Sequence, residues 1–234
     1  MGSLFRFDLG RYADTYDLPV LFETGTFRGN GVQLAIDAGF KKIYSVEIIE
    51  EYYLANVERF SDEPSVNLLH GESAKCLSDT VGTIKENILF WLDAHFPGAD
   101  GGLCGYNSCE DETIRCPLET ELEIIRSLRQ DRDDVFIIDD LSIYETGNFG
   151  NGPLPPHIDK PVNAGLDFID RLFSKTHHIV RLYDDEGYVL LLPYSLPPKL
   201  YVRRTLSEVI ATAGVPVSES FIAAIGSNEE LNDD

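Results

Sequence analysis

Five short apolar runs, each followed by a stretch of helical pattern, recur along residues 19–140 and constrain the fold more than any other feature of the chain. The runs are "PVLFETG", "KKIYSVEI", "SVNLLHG", "NILFWLDAH" and "DVFIIDD". The stretches after them include "GVQLAIDAGF", "EEYYLANVERF", "SAKCLSDTV" and "PLETELEIIRSLRQ". Nearly continuous apolar runs such as "ILFWL" suit strands buried on both faces. Strands alternating with helices predict an α/β fold, a mostly parallel sheet with helices on both faces. The alternation ends at "HHIVRLYDDEGYVLLLPY", two strand-like runs joined at "DDEG", which predicts a C-terminal antiparallel hairpin. The tail "RRTLSEVIATAG" reads as helical.

In an open parallel sheet, ligands bind beyond the carboxyl ends of the strands. Those ends carry a polar series here: Glu23, Gly25, Thr26 and Gly29 after the first run, Glu47 after the second, Glu72 and Ser73 after the third, Asp93 and His95 after the fourth, Asp139 and Asp140 after the fifth. Gly25 and Gly29 let a ligand approach the backbone near a helix N-terminus. Glu47 is placed to accept hydrogen bonds from both hydroxyls of a ribose, and Ser73 to meet an adenine edge. Taken one at a time, each of these residues is equally suited to capping a helix or lining a turn.

The ordered set resembles the class I S-adenosylmethionine-dependent methyltransferases, and the metal-dependent catechol-type O-methyltransferases in particular. "ETGTFRG" matches their Glu-x-Gly-x-x-x-Gly motif, and "YSVEI", "HGES", "WLDAH" and "IIDD" follow in the family's order. A dinucleotide-binding sheet would carry a tighter Gly-x-Gly-x-x-Gly, which this chain lacks. The resemblance implies a Rossmann-like methyltransferase sheet, S-adenosyl-L-methionine as cofactor and transfer of its methyl to a hydroxyl. It also implies a divalent metal, Mg²⁺ or similar, on Asp93, Asp139 and Asp140. Oxygen ligands suit such hard cations, and a cation would relieve repulsion among three carboxylates.

Two positions depart from the pattern. Where catechol-type enzymes carry a lysine base, three residues after the fourth-run Asp, this chain has Phe96; His95 is the nearest replacement base. Where a serine often holds the cofactor carboxylate, it has Gly31. The missing lysine and the all-acidic metal set favour a sugar-like or natural-product acceptor over a catechol. Two alternatives stand beside this reading: a metal-independent N- or O-methyltransferase with His95 as base, and a non-catalytic methyltransferase-like binding module.

The 234 residues are expected to form one domain, 1–234, with an insert at about 96–117, a long Gly/Pro-rich loop at about 145–161 and an extension from about 195. Tyr106, Tyr144 and His157 are candidate substrate contacts. Three of the four cysteines, Cys104, Cys109 and Cys116, crowd the insert. They could be free thiols, a Cys104–Cys109 disulfide, or zinc ligands together with His95. The net charge of −21 repels phosphate backbones, so the expected partner is a small molecule and not nucleic acid. No run reaches membrane-spanning length and no signal-peptide pattern opens the chain, so no membrane partner is expected and a cytoplasmic location is. A homo-oligomer, with the segment after Tyr194 docking on a partner subunit, is a further expectation.

Overall fold

The computed structural model describes residues 4–162 and 164–202. The elements are, in order, α1 (Leu9–Tyr16), β1 (Val20–Thr24), α2 (Asn30–Asp37), β2 (Lys42–Glu47), α3 (Glu50–Arg59), β3 (Val66–His70), α4 (Ser73–Thr80), β4 (Ile88–Leu92), α5 (Glu112–Arg115), α6 (Leu118–Leu128), β5 (Val135–Ile138), α7 (Leu141–Tyr144), α8 (Asp167–Phe173), β6 (His177–Leu182) and β7 (Tyr188–Pro193). All five apolar runs form strands. The strand order is β3-β2-β1-β4-β5-β7-β6, parallel except for β7, which runs antiparallel between β5 and β6. The expected hairpin is therefore present. Helices α1, α5, α7 and α8 were not expected. The helical pattern expected at 203–214 lies outside the described residues.

Alternation along the strands divides the core between the two faces of the sheet. Phe22, Phe90, Phe136 and Leu191 point to one face, where they meet Leu77 of α4, Leu122 and Ile125 of α6, and Ile169 and Phe173 of α8. Leu21, Leu89, Ile137 and Leu190 point to the other, where Tyr12 and Tyr16 of α1 and Val32 and Ala35 of α2 cover them. Helix α6 shows why such segments are helical: Leu118, Leu122 and Ile125 recur on one buried stripe, with acids in the first turn and Arg126 in the last. Phe90 stacks on Phe136 at 4.9 Å between ring centroids, and Phe173 packs edge-on against Phe136 at 5.0 Å.

The start of the extension folds back on its own chain. Phe7 bridges Val202, Asp8 N–H donates to the Tyr201 carbonyl at 2.8 Å, and Tyr201 N–H donates to the Tyr12 hydroxyl at 3.1 Å. Residues 195–202 thus lie along α1 of the same chain. Among the described residues, no helix is long and apolar enough to cross a membrane.

His177, at the start of β6, is 3% exposed and held neutral. Its Nε2–H donates to the Asp134 carbonyl at 3.0 Å, and Thr176 Oγ1 donates to Nδ1 at 2.9 Å. Burial lowers its pKa to about 4. Between pH 4 and the ordinary value of 6.5, the unfolded chain binds this proton and the folded chain does not. The contribution of His177 to stability is thus complete above pH 6.5 and is lost as pH falls toward 4. The gain in urea midpoint between pH 4.5 and pH 6.5 is expected to be smaller in His177→Gln than in the wild type.

Candidate active site

The carboxyl ends of β1–β4 open onto a cleft. Gly25, Glu47, Glu72, Ser73, Asp93 and His95 line it, with Pro97, Asp100 and Thr113 from the insert. Six of the expected site residues therefore share one cavity. The cleft sits where the order reverses, β2 and β3 lying to one side of β1 and β4 and β5 to the other. Gly25 has φ +89°, and a Cβ there would lie 2.9 Å from the Asp93 carbonyl oxygen, so this turn takes no side chain.

Glu47 is 6% exposed and anchors the loop opposite. Its Oε2 accepts from Phe27 N–H at 2.7 Å and its Oε1 from Ile49 N–H at 2.8 Å. Burial raises its pKa despite these bonds. The remaining lone pairs of both oxygens are free to accept from a ligand. Ser73 opens α4, with Glu72 immediately before it.

Glu23, Thr26 and Gly29 are placed outside the cleft lining. Glu23 is 2% exposed and accepts from Ser45 Oγ at 2.5 Å, and Ser45 Oγ is 2.6 Å from Thr26 Oγ1. A Cβ at Gly31 would overlap the Glu23 carboxyl. The serine absent from position 31 thus has no room there: Glu23 fills its place and braces the loop from below. Burial pushes the Glu23 pKa up to about 8. Gly29 closes the loop ahead of α2, against Asn56 and Phe60.

At the ends of β4 and β5, ligand atoms of Asp93, His95 and Asp140 lie within 4.8 Å of one another. His95 Nε2 is 2.7 Å from Asp140 Oδ2, and Nδ1 is 3.5 Å from Asp93 Oδ1. Burial opposes the charged imidazole, but the Asp140, Asp93 and Asp100 carboxylates outweigh it and hold the His95 pKa at about 9. Burial likewise pushes Asp93 up to about 8, with Asp140 adding repulsion. For Asp140 burial also opposes charge, yet His95 holds its carboxyl below the ordinary value. Asp140 Oδ1 is buried and has no hydrogen-bond partner. Asp139 is not in this group. Asp140 adopts φ +55°, which turns the chain, and Asp139 Oδ1 accepts from Asp140 N–H at 2.9 Å.

Asp139 instead lines a second, much smaller cavity with Asp93, His95, Glu121 and Tyr144. Sequence reasoning missed Glu121, although its signal was present: an acid inside the apolar stripe Leu118–Leu122–Ile125. It is 1% exposed, its Oε1 lacks a hydrogen-bond partner, and burial pushes its pKa up to about 7. Of the candidate substrate contacts, Tyr106 donates to Asp100 Oδ1 at 2.9 Å, and its ring meets that of His157 at 6.4 Å. Neither Tyr106 nor His157 lines the two cavities, whereas Tyr144 lines the second.

The insert and the long loop close over this edge as one unit. Arg115, 5% exposed, pairs with both oxygens of Glu112 at 3.0 Å and donates to the Asp159 carbonyl at 2.8 Å. Asn107 donates to the His157 carbonyl and accepts from Asp159 N–H. Arg115→Ala removes charge-assisted bonds of about 1.5–3 kcal/mol each. Amide hydrogen exchange in residues 145–162 is expected to accelerate at least about tenfold, with β1 and β4 unchanged. All four cysteines are free, so Cys104 and Cys109 form no disulfide, and the Asp93–His95–Asp140 group, the metal-ligand cluster found among the described residues, contains no thiol.

No family model matches the chain, and no curated protein matches it. Solved structures do. A provisionally assigned caffeoyl-CoA O-methyltransferase of Staphylococcus aureus shares 15% identity over 82% of this chain and 85% of its own, with a TM-score of 0.55. An SAH-bound methyltransferase of Podospora anserina shares 14% identity over 79% and 76%, with a TM-score of 0.51. The chain has the class I methyltransferase fold. The hairpin that inserts β7 between β5 and β6 belongs to that methyltransferase sheet, and the cleft described above lies at its carboxyl edge.

Proposed function

We propose that this protein transfers the methyl group of S-adenosylmethionine to a hydroxyl of a small molecule, assisted by a divalent cation. The observation that carries the reading is the convergence of Gly25, Glu47, Ser73 and Asp93 on one cleft at the switch point of a methyltransferase sheet. The likeness to an SAH-bound methyltransferase and to a caffeoyl-CoA O-methyltransferase supports it.

In this reading Glu47 accepts from the ribose hydroxyls, Glu72 and Ser73 meet the adenine, and Gly25 admits the methionine end. Asp93 and Asp140 hold the cation. The site suits one: Asp140 Oδ1 is buried without a partner, and burial beside Asp140 disfavours ionisation of Asp93, a penalty that a cation between them would offset. S-adenosylmethionine, when bound, would supply the electrophilic methyl and leave as S-adenosylhomocysteine, and the cation would lower the pKa of a hydroxyl beside it so that its proton passes to solvent. Without a cation, the Asp140 and Asp93 carboxylates hold a proton on His95; a cation seated on those carboxylates would oppose that charge and free the ring nitrogen. The insert residues Pro97, Asp100 and Thr113 cover the cleft and limit water. With Phe96 in the lysine position and a net charge of −21, the acceptor is sugar-like or a natural product and not a nucleic acid.

The test is transfer of labelled methyl from S-adenosylmethionine to a panel of hydroxyl compounds, with and without chelator. Transfer that falls at least about tenfold in chelator and returns with added cation supports the reading. Full activity in chelator removes the cation and favours the metal-independent alternative. Failure to bind S-adenosylmethionine favours the non-catalytic one.

A further inference from the structure

We propose that His95 is itself a ligand of the cation, so that the site takes a first-row transition-metal ion of the Mn²⁺ or Fe²⁺ class in preference to Mg²⁺ or Ca²⁺. This rests on the reading that a cation sits between β4 and β5. What it adds is a nitrogen donor in the ligand set.

The geometry places the ring, and not Asp139, beside the two carboxylates. One ligand atom from each of Asp93, His95 and Asp140 fits within 4.8 Å. His95 Nε2 lies 2.7 Å from Asp140 Oδ2, and the other ring nitrogen, Nδ1, lies 3.5 Å from Asp93 Oδ1, so the ring stands between the two carboxylates. Adjacent ligands of an octahedral ion with bonds of about 2.1 Å lie about 3 Å apart, and opposite ones about 4.2 Å, so a turn of the ring that brings one nitrogen toward both carboxylates would seat an ion within the 4.8 Å cluster. A second observation points the same way: Asp140 Oδ1 is buried and unpartnered, an acceptor with nothing to accept from. The neighbouring small cavity, lined by Asp93, His95, Asp139 and Glu121, has room for about one water molecule beside the ion.

The donor set decides the ion. Mg²⁺ and Ca²⁺ favour oxygen-only shells, whereas a nitrogen donor beside carboxylates raises affinity for first-row transition-metal ions, least for Mn²⁺ and more for Fe²⁺ and its successors. The group contains no thiol, so nothing selects a thiophilic ion. The insert fixes the ring: Phe96 packs edge-on against His95 at 5.2 Å, and Phe96 N–H donates to the Arg115 carbonyl at 2.8 Å.

The experiment is calorimetric titration of the full chain with Mn²⁺ and with Mg²⁺, together with pulsed electron paramagnetic resonance of the Mn²⁺ complex. Mn²⁺ is expected to bind at least about tenfold more tightly than Mg²⁺, with nuclear modulation from a directly bound ¹⁴N. That modulation is expected to vanish in His95→Gln, and His95→Asp, an oxygen-only site, is expected to narrow the preference. Mg²⁺ binding as tight as Mn²⁺, or a wild-type Mn²⁺ complex without ¹⁴N modulation, overturns the inference and leaves the cation reading standing. Binding of neither ion overturns both. Because the wild-type spectrum decides by itself, a variant that fails to fold does not shield the proposal.

Discussion

Glu47→Ala is expected to lower affinity for S-adenosylhomocysteine by at least about 100-fold in isothermal titration. In the proposed site the carboxylate accepts from two ribose hydroxyls. Hydrogen bonds to a charged group contribute about 1.5–3 kcal/mol each, and a loss of about 3 kcal/mol is slightly over 100-fold in Kd. The same carboxylate also anchors Phe27 N–H and Ile49 N–H, so truncation loosens both loops that flank the cleft. Glu47→Gln keeps one carbonyl acceptor and is expected to lose only about tenfold. If Glu47→Ala binds as the wild type does, Glu47 has no part in the site.

The largest expected effect on stability lies at the opposite end of the sheet. Arg129 is 5% exposed, and its guanidinium pairs with both oxygens of Asp134 at 2.7 and 2.8 Å. It also donates to the carbonyls of Val81, Ile84 and Glu86. Asp134 Oδ1 accepts in addition from Ile88 N–H at 2.8 Å, so the pair locks the entry of β4 to that of β5. Arg129→Met leaves Asp134 buried without its counter-charge and takes a donor from the carbonyls of Ile84 and Glu86, while the Val81 carbonyl keeps Ile84 N–H. Breaking a buried pair in this way costs about 3–5 kcal/mol, read as a fall in urea midpoint. Adding Asp134→Asn removes the stranded charge while keeping an acceptor for Ile88, and is expected to recover at least about 1 kcal/mol. An unchanged midpoint in Arg129→Met would mean that the pair contributes nothing.

The parallel strands were legible because each is a buried apolar run, and the hairpin because "DDEG" joins two runs with no helix between them. Helix α1 was not legible: its buried residues Leu9, Tyr12 and Tyr16 interrupt a polar segment too short to show a clear period. The strand-end positions placed Glu47, Ser73 and Asp93 at the cleft, since strand ends need only the register. They could not say which way consecutive acids turn. Asp139 and Asp140 are adjacent in sequence, yet the left-handed conformation at Asp140 separates their roles: Asp140 meets His95, and Asp139 caps the turn. Nor could spacing show that Glu23 occupies the space a side chain at position 31 would need, or that Arg115 joins the insert to a loop more than forty residues away. Both contacts depend on how separate segments pack.

The central claim is that the cleft at the ends of β1, β2, β3 and β4 binds S-adenosylmethionine. Isothermal titration of S-adenosylhomocysteine into the wild-type chain tests it most directly. The account predicts saturable binding at one site per chain, weakened at least about 100-fold by Glu47→Ala. An absence of binding heat in the folded wild type, in a titration repeated at two temperatures, would contradict it.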